Sequence, residues 1–127
     1  MAKKLAHISE DHSREQTVYE HLTGTAELAK QFAAAFGAEK DGYLLGLLHD
    51  IGKYSDAFQH RLDGGVRVDH STAGAKEACA HGVGYLALAI AGHHGGIPNF
   101  GSRADTKNDA TLSGRLKRDL EPYDDWK

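Results

Sequence analysis

The stretch Leu47-Leu48-His49-Asp50-Ile51-Gly52-Lys53 ends an apolar helical run on two metal-capable side chains and a cation. Tyr43, Leu44, Leu47, Leu48 and Ile51 share one face of a helix expected to begin near Ala38 and end around Gly52, which delivers His49 and Asp50 on its last turn. Consecutive helical side chains diverge by about 100°, so the two flank a pair of ions more readily than they chelate one; Asp50 as a bridge between two ions is one outcome. Alone, His-Asp is close to a chance dipeptide, and its weight has to come from its surroundings.

On the N-terminal side, Leu22, Ala26, Ala29, Phe32, Ala33 and Phe36 recur at intervals of three and four, predicting a helix from Thr17 to Phe36 with Gly37 as its C-terminal cap. On the C-terminal side, Ser55 suits the N-cap of a short helix holding Phe58 and Leu62, which Asp63-Gly64-Gly65 stops. Ser71 to Ala80 is alanine-rich and helix-compatible, and Tyr85 to Ala91 reads as a buried helix ending at Gly92. Gly95 to Asp109 has loop composition, and Leu112, Leu116 and Leu120 predict a last helix closed by Pro122. No strand pattern stands out, so the expected class is all-α, a compact helical bundle.

With 127 residues and 40% hydrophobic content the chain suits a single domain over 1–127. It has no run of roughly 20 apolar residues and no signal-peptide core, which predicts a cytoplasmic protein without membrane contact. The single cysteine, Cys79, excludes an internal disulfide and reads as a small core residue. A formal charge of −3 argues against nucleic acid, unless bound cations supply the positive charge facing phosphate. Nine histidines make that exception worth pursuing.

His21 falls in the first helix, His70 before one, and His93-His94 after another. Imidazole and carboxylate donors together suit Mn, Fe, Co, Ni or Zn, with Mg a further candidate, in a site of one or two ions. His7, His12, His60 and His81 read as surface or capping residues. In the loop, Asn99, Phe100, Arg103 and Lys107 offer an aromatic for a base and cations for phosphates, against an equally good reading as a solvated mobile loop. Arg115, Lys117 and Arg118 read as the solvated face of the last helix.

The ordered set His21, His49-Asp50-Ile51-Gly52-Lys53, His70-Ser71 and His93-His94-Gly95-Gly96 resembles the HD phosphohydrolase superfamily. More narrowly, Phe58-Gln59 after the dyad, the His70-Ser71 step and the His-His-Gly-Gly sequence resemble the N-terminal HD nuclease domain of the type I CRISPR-associated nuclease-helicase, from about His21 to Gly96. The resemblance implies an HD-type helical bundle in which His21, His49, Asp50, His70, His93 and His94 ligate two metal ions and Lys53 sits beside the scissile phosphate. It implies a metal-dependent endonuclease in antiviral defence, with Asp50 and Lys53 as catalytic residues. The implied partners are single-stranded DNA, a helicase portion in the same or a partner chain, and an RNA-guided surveillance complex. That family has a further aspartate ligand on a late helix, for which Asp105, Asp109, Asp119, Asp124 and Asp125 are the candidates here. The chain lacks the helicase portion and reads as a stand-alone subunit or as a fragment cut inside the domain; Trp126 near the terminus favours the fragment. Two other functions fit the same residues: hydrolysis of nucleotides or cyclic dinucleotides, and a noncatalytic interaction domain with a structural metal.

Overall fold

The computed structural model describes residues 3–65, 67–94, 96–123 and 126, and is predominantly helical. Its one departure from an all-helical reading comes first in the chain. Leu5–Ile8 (β1) pairs antiparallel with Glu15–Thr17 (β2), Leu5 opposite Thr17 and Ile8 opposite Glu15. Strands of four and three residues are too short for alternation to register in sequence. A tertiary contact holds the hairpin: Gln59 Oε1 accepts the Leu5 N–H, and its amide nitrogen donates to the Leu5 and Lys53 carbonyls, each at 2.8 Å. One side chain thus fastens the hairpin to the segment that follows the dyad.

Thr17 N-caps Val18–Ala33 (α1) through a reciprocal capping box with Glu20, and a 3₁₀ turn, Ala34–Phe36, ends at Gly37 with a left-handed φ of 74°. Glu39–Leu48 (α2) packs back on α1 with almost no side chain between the two backbones. A Cβ on Gly46 would stand 2.5 Å from Ala26 Cα, so only glycine permits this approach. Because α2 covers a narrow stripe, Val18, Leu22, Ala26 and Ala33 are buried, whereas Phe32 and Phe36, expected on the same face, are 73% and 77% exposed.

After α2 a 3₁₀ turn, Ile51–Tyr54, leads to Asp56–Leu62 (α3), capped by buried Ser55, which accepts the Phe58 N–H. Thr72–Ala80 (α4) and Ala87–Gly92 (α5) complete the core, in which Leu48, Ile51, Ala75, Leu86 and Ile90 join Val18 and Leu22. Cys79 is exposed at the end of α4, not in the core. Leu112–Arg115 (α6) is shorter than predicted: Gly114 interrupts the pattern, the chain continues in three-residue turns, and Lys76 takes the Arg118 carbonyl. Leu116 and Leu120 still pack on the core from this irregular segment.

Residues 96–111 are knitted rather than loose. Asp105 accepts from the Ser102 N–H at 3.0 Å and the Thr111 hydroxyl at 2.6 Å, Asp109 accepts from the Thr106 N–H at 2.7 Å, and Leu112 and Ser113 donate to the Asn99 and Phe100 carbonyls. Among the described residues no helix is long and apolar enough to cross a membrane.

Candidate metal centre

Four separate segments meet at Asp50. The close approach of α1 and α2 brings His21 to within 3.1 Å of His49, measured between their Nε2 atoms. On the other side, Gly52 lets the 3₁₀ turn lie directly on the chain at His70, because a Cβ there would be 2.4 Å from the His70 carbonyl oxygen. The end of α5 supplies His93 and His94. Asp50, 3% exposed, divides its two oxygens between these groups. Oδ2 lies 2.8 Å from His21 Nε2 and 3.3 Å from His49 Nε2. Oδ1 lies 2.8 Å from His93 Nε2, 3.5 Å from His94 Nε2 and 3.6 Å from His70 Nε2. Two sets of potential ligand atoms result, His21-His49-Asp50 and Asp50-His70-His94, each within 4.8 Å of one another and sharing the same carboxylate. His93 stands between them, its ring 5.1 Å from that of His49 and 4.0 Å from that of His94.

The outer ring nitrogens explain how the inner ones are aimed. His49 Nδ1 donates to the Gly46 carbonyl and His93 Nδ1 to the Ile90 carbonyl, both at 2.6 Å. A carbonyl can only accept, so each Nδ1 carries the hydrogen, and in neutral imidazole Nε2 is then a lone pair. Those lone pairs point at a carboxylate, His93 at 2.8 Å, which is repulsive unless positive charge lies between. A proton or a cation satisfies the geometry, and a backbone-anchored histidine beside a shared carboxylate is the usual support of a metal ligand. Nitrogen and oxygen donors in this mixture fit divalent transition metals.

The family model for the HD domain matches residues 18–122, which span α1 to the segment after α6. The chain belongs to the HD family. Comparison with curated proteins returned no match. HD domains are typically metal-dependent phosphohydrolases, and the His/Asp cluster is the candidate metal site of this one.

Lys53 is 4% exposed, with Nζ 3.4 Å from both Asp50 Oδ2 and the Ala6 carbonyl oxygen, and 5.2 Å from the Phe58 ring centre. One histidine that sequence reasoning assigned to the surface also reaches the HD centre. His7, on β1, sets its ring edge-on against that of His21 at 4.9 Å, and no spacing signal marks it, because Gln59 and the hairpin bring it there. Of the late aspartates, Asp105 and Asp109 are committed to turns, Asp119 is exposed, and none belongs to a metal-capable group among the described residues; Asp124 and Asp125 lie outside those residues, as does Gly95.

Burial and hydrogen bonding set the protonation of the metal-free HD centre. Burial raises the Asp50 carboxyl, but hydrogen bonds from His21, His49 and His93 outweigh it and hold the group far below the usual carboxylate range. Burial lowers His70 from 6.5 to about 4, and lowers His7 and His94 in the same direction. His93 is raised, burial being overcome by the Asp50 hydrogen bond. A depressed histidine binds its proton more weakly in the folded than in the unfolded chain, so acidification favours unfolding. Metal-free protein is therefore expected to lose stability as pH falls from 6.5 toward about 4, the window set by His70. His93, raised, contributes its full stabilisation below 6.5 and does not change within that window. Urea unfolding in chelator at pH 6.5, 5.5 and 4.5 measures the slope; it should flatten in His70→Gln, and an unchanged slope would contradict the assignment.

Arg115, expected on a solvated face, is instead a clamp behind the HD site. Its guanidinium donates to Ser71 Oγ at 3.0 Å, to Thr72 Oγ1 at 2.8 and 3.0 Å, and to the Ala91 carbonyl at 2.7 Å. It thereby joins the residue after His70 to the end of α5 just before His93. Asp69 completes the network, accepting from Thr72 and pairing with Arg118 at 3.0 Å. Arg115→Ala strands buried Ser71 and the Ala91 carbonyl and should destabilise by about 3 kcal/mol. Arg115→Lys should recover little, since one ammonium cannot span three acceptors in a plane. Chemical denaturation of both variants checks this, and a loss under about 1 kcal/mol for alanine would show the clamp to be dispensable.

Proposed function

We propose that the chain is a metal-dependent nuclease that hydrolyses phosphodiester bonds of single-stranded DNA in CRISPR interference, acting beside a helicase portion in the same or a partner chain and an RNA-guided surveillance complex. The observation that carries the hydrolytic part is the sharing of buried Asp50 between two histidine clusters, His21-His49 on one oxygen and His70-His94 on the other. This supports His21, His49, Asp50, His70, His93 and His94 as ligands of two divalent ions. The nuclease and CRISPR assignment rests on the resemblance of the ordered motifs.

Divalent ions held there would supply Lewis acidity toward phosphoryl oxygen and lower the pKa of water toward neutrality. The chain's own residues do the rest. Asp50 supplies the negative charge shared by both ligand sets, while His49 and His93, anchored through Nδ1, hold their Nε2 lone pairs inward without reorganisation. Lys53 holds a desolvated ammonium at the edge of the centre, where it can offset developing charge on the leaving oxygen or donate a proton to it.

The test is to load the full chain separately with Mn, Ni, Co, Mg or Zn and follow a labelled single strand beside phosphate release from nucleotides. Cleavage of the strand with at least one metal is the expected result. Turnover of nucleotides alone moves the assignment to a small-molecule phosphohydrolase. Bound metal without any phosphoester hydrolysis leaves an interaction domain.

A further inference from the structure

A groove of about 790 Å³ opens directly beside the centre. Lys53, His70 and His94 of the centre line it together with Arg61 and Arg67. Arg61 stands in the last turn of α3 and Arg67 on the chain leading to His70; both are exposed, and neither guanidinium makes a hydrogen bond or ion pair among the described residues. The one carboxylate on the groove wall, Asp69, is already paired with Arg118 and bonded to Thr72. A chain of net charge −3 thus sets two unpaired cations, Arg61 and Arg67, on a groove where Lys53 is paired with Asp50 and Asp69 with Arg118. Unpaired guanidinium groups beside a phosphoester site are suited to phosphate oxygens, which they bind through paired N–H donors. Ile8, Leu62 and Val68 add apolar surface to the lining, and exposed cations along a groove are suited to following the backbone of a strand.

We propose that Arg61 and Arg67 form a subsite for phosphates flanking the scissile one, making a single-stranded polynucleotide the substrate class of this centre. The proposal rests on the nuclease reading for its scissile phosphate, but the subsite can be measured without turnover. Binding of a 5′-labelled single-stranded oligonucleotide to the full chain is followed by fluorescence anisotropy in chelator, across a salt series. The double variant Arg61→Ala/Arg67→Ala should bind at least tenfold more weakly. Its log–log salt slope should shrink by about 1.4, the share of two phosphate contacts on a single strand. Lys30→Ala/Lys40→Ala, which removes the same charge from a separate depression between α1 and α2, should bind like the parent. Arg61→Lys/Arg67→Lys should retain most of the salt slope.

In the metal-loaded protein, hydrolysis of bis(p-nitrophenyl) phosphate, which has one phosphate, should be unchanged in Arg61→Ala/Arg67→Ala. Equal weakening in the two alanine pairs overturns the subsite, as does loss of small-diester hydrolysis. Competition by a nucleoside triphosphate as effective as the unlabelled oligonucleotide overturns the polynucleotide assignment. If the parent hydrolyses no phosphodiester while the binding difference persists, the nuclease reading fails and the polynucleotide-binding groove remains.

Discussion

Asp50→Asn is expected to abolish metal binding at both ligand sets together, lowering bound metal to less than about a tenth of the parent content and phosphoester hydrolysis by 10³-fold or more. The substitution keeps shape but replaces one anionic oxygen with an amide N–H₂ donor, and the remaining oxygen is neutral. Because the two ligand sets meet only in this carboxylate, neither retains a charged donor. His49→Ala and His70→Ala each remove a ligand from one set, so each should lose about one ion and leave the other. Metal analysis after dialysis distinguishes the patterns. If Asp50→Asn loses no more metal than His49→Ala, the shared-carboxylate arrangement is wrong. The variant should also destabilise the metal-free fold by about 3 kcal/mol, since buried Lys53 is left facing no anion. Circular dichroism of the same sample separates loss of metal from loss of fold.

Local information carried most of the helices. The helical period of Leu22, Ala26 and Ala33 and the cap at Ser55 are signals within one element, and they place His21 on its helix; α2, expected to run to about Gly52, instead ends at Leu48, so that His49 is its C-cap and Asp50 stands just beyond it in non-helical backbone. What sequence could not show is set by contacts between elements. Phe32 and Phe36 fit the helical period yet face outward, because Gly46 lets α2 settle so close that only small residues of α1 lie beneath it. The hairpin depends on Gln59, more than fifty residues away, and His7 reaches His21 only through that hairpin. Arg115 looked like one of three surface cations, but its partners, Ser71, Thr72 and Ala91, come from helices distant in sequence. The six candidate ligands were nameable as a set. Their division into two groups around separate oxygens of Asp50 belongs to the geometry alone.

Lys53→Met is expected to keep the fold and the bound metal while lowering kcat for phosphoester hydrolysis by about 10²-fold, with little change in KM. Methionine approximates the length and volume of the lysine stem but removes the charge that stands over the Phe58 ring. Lys53 differs from the histidines in carrying no lone pair when protonated, so it cannot serve as a ligand. Held at 3.4 Å from Asp50 Oδ2, it also reduces the negative charge that the carboxylate offers to cations. Metal affinity should therefore hold or rise in the variant while turnover falls, whereas a histidine substitution should lower both. Lys53→Arg should not restore kcat, because the planar guanidinium is too broad for a site where the lysine is 4% exposed. Metal content measured beside kcat and KM decides the matter. A parallel fall in metal and kcat would mean that Lys53 only supports Asp50, and unchanged kcat would remove it from the chemistry altogether.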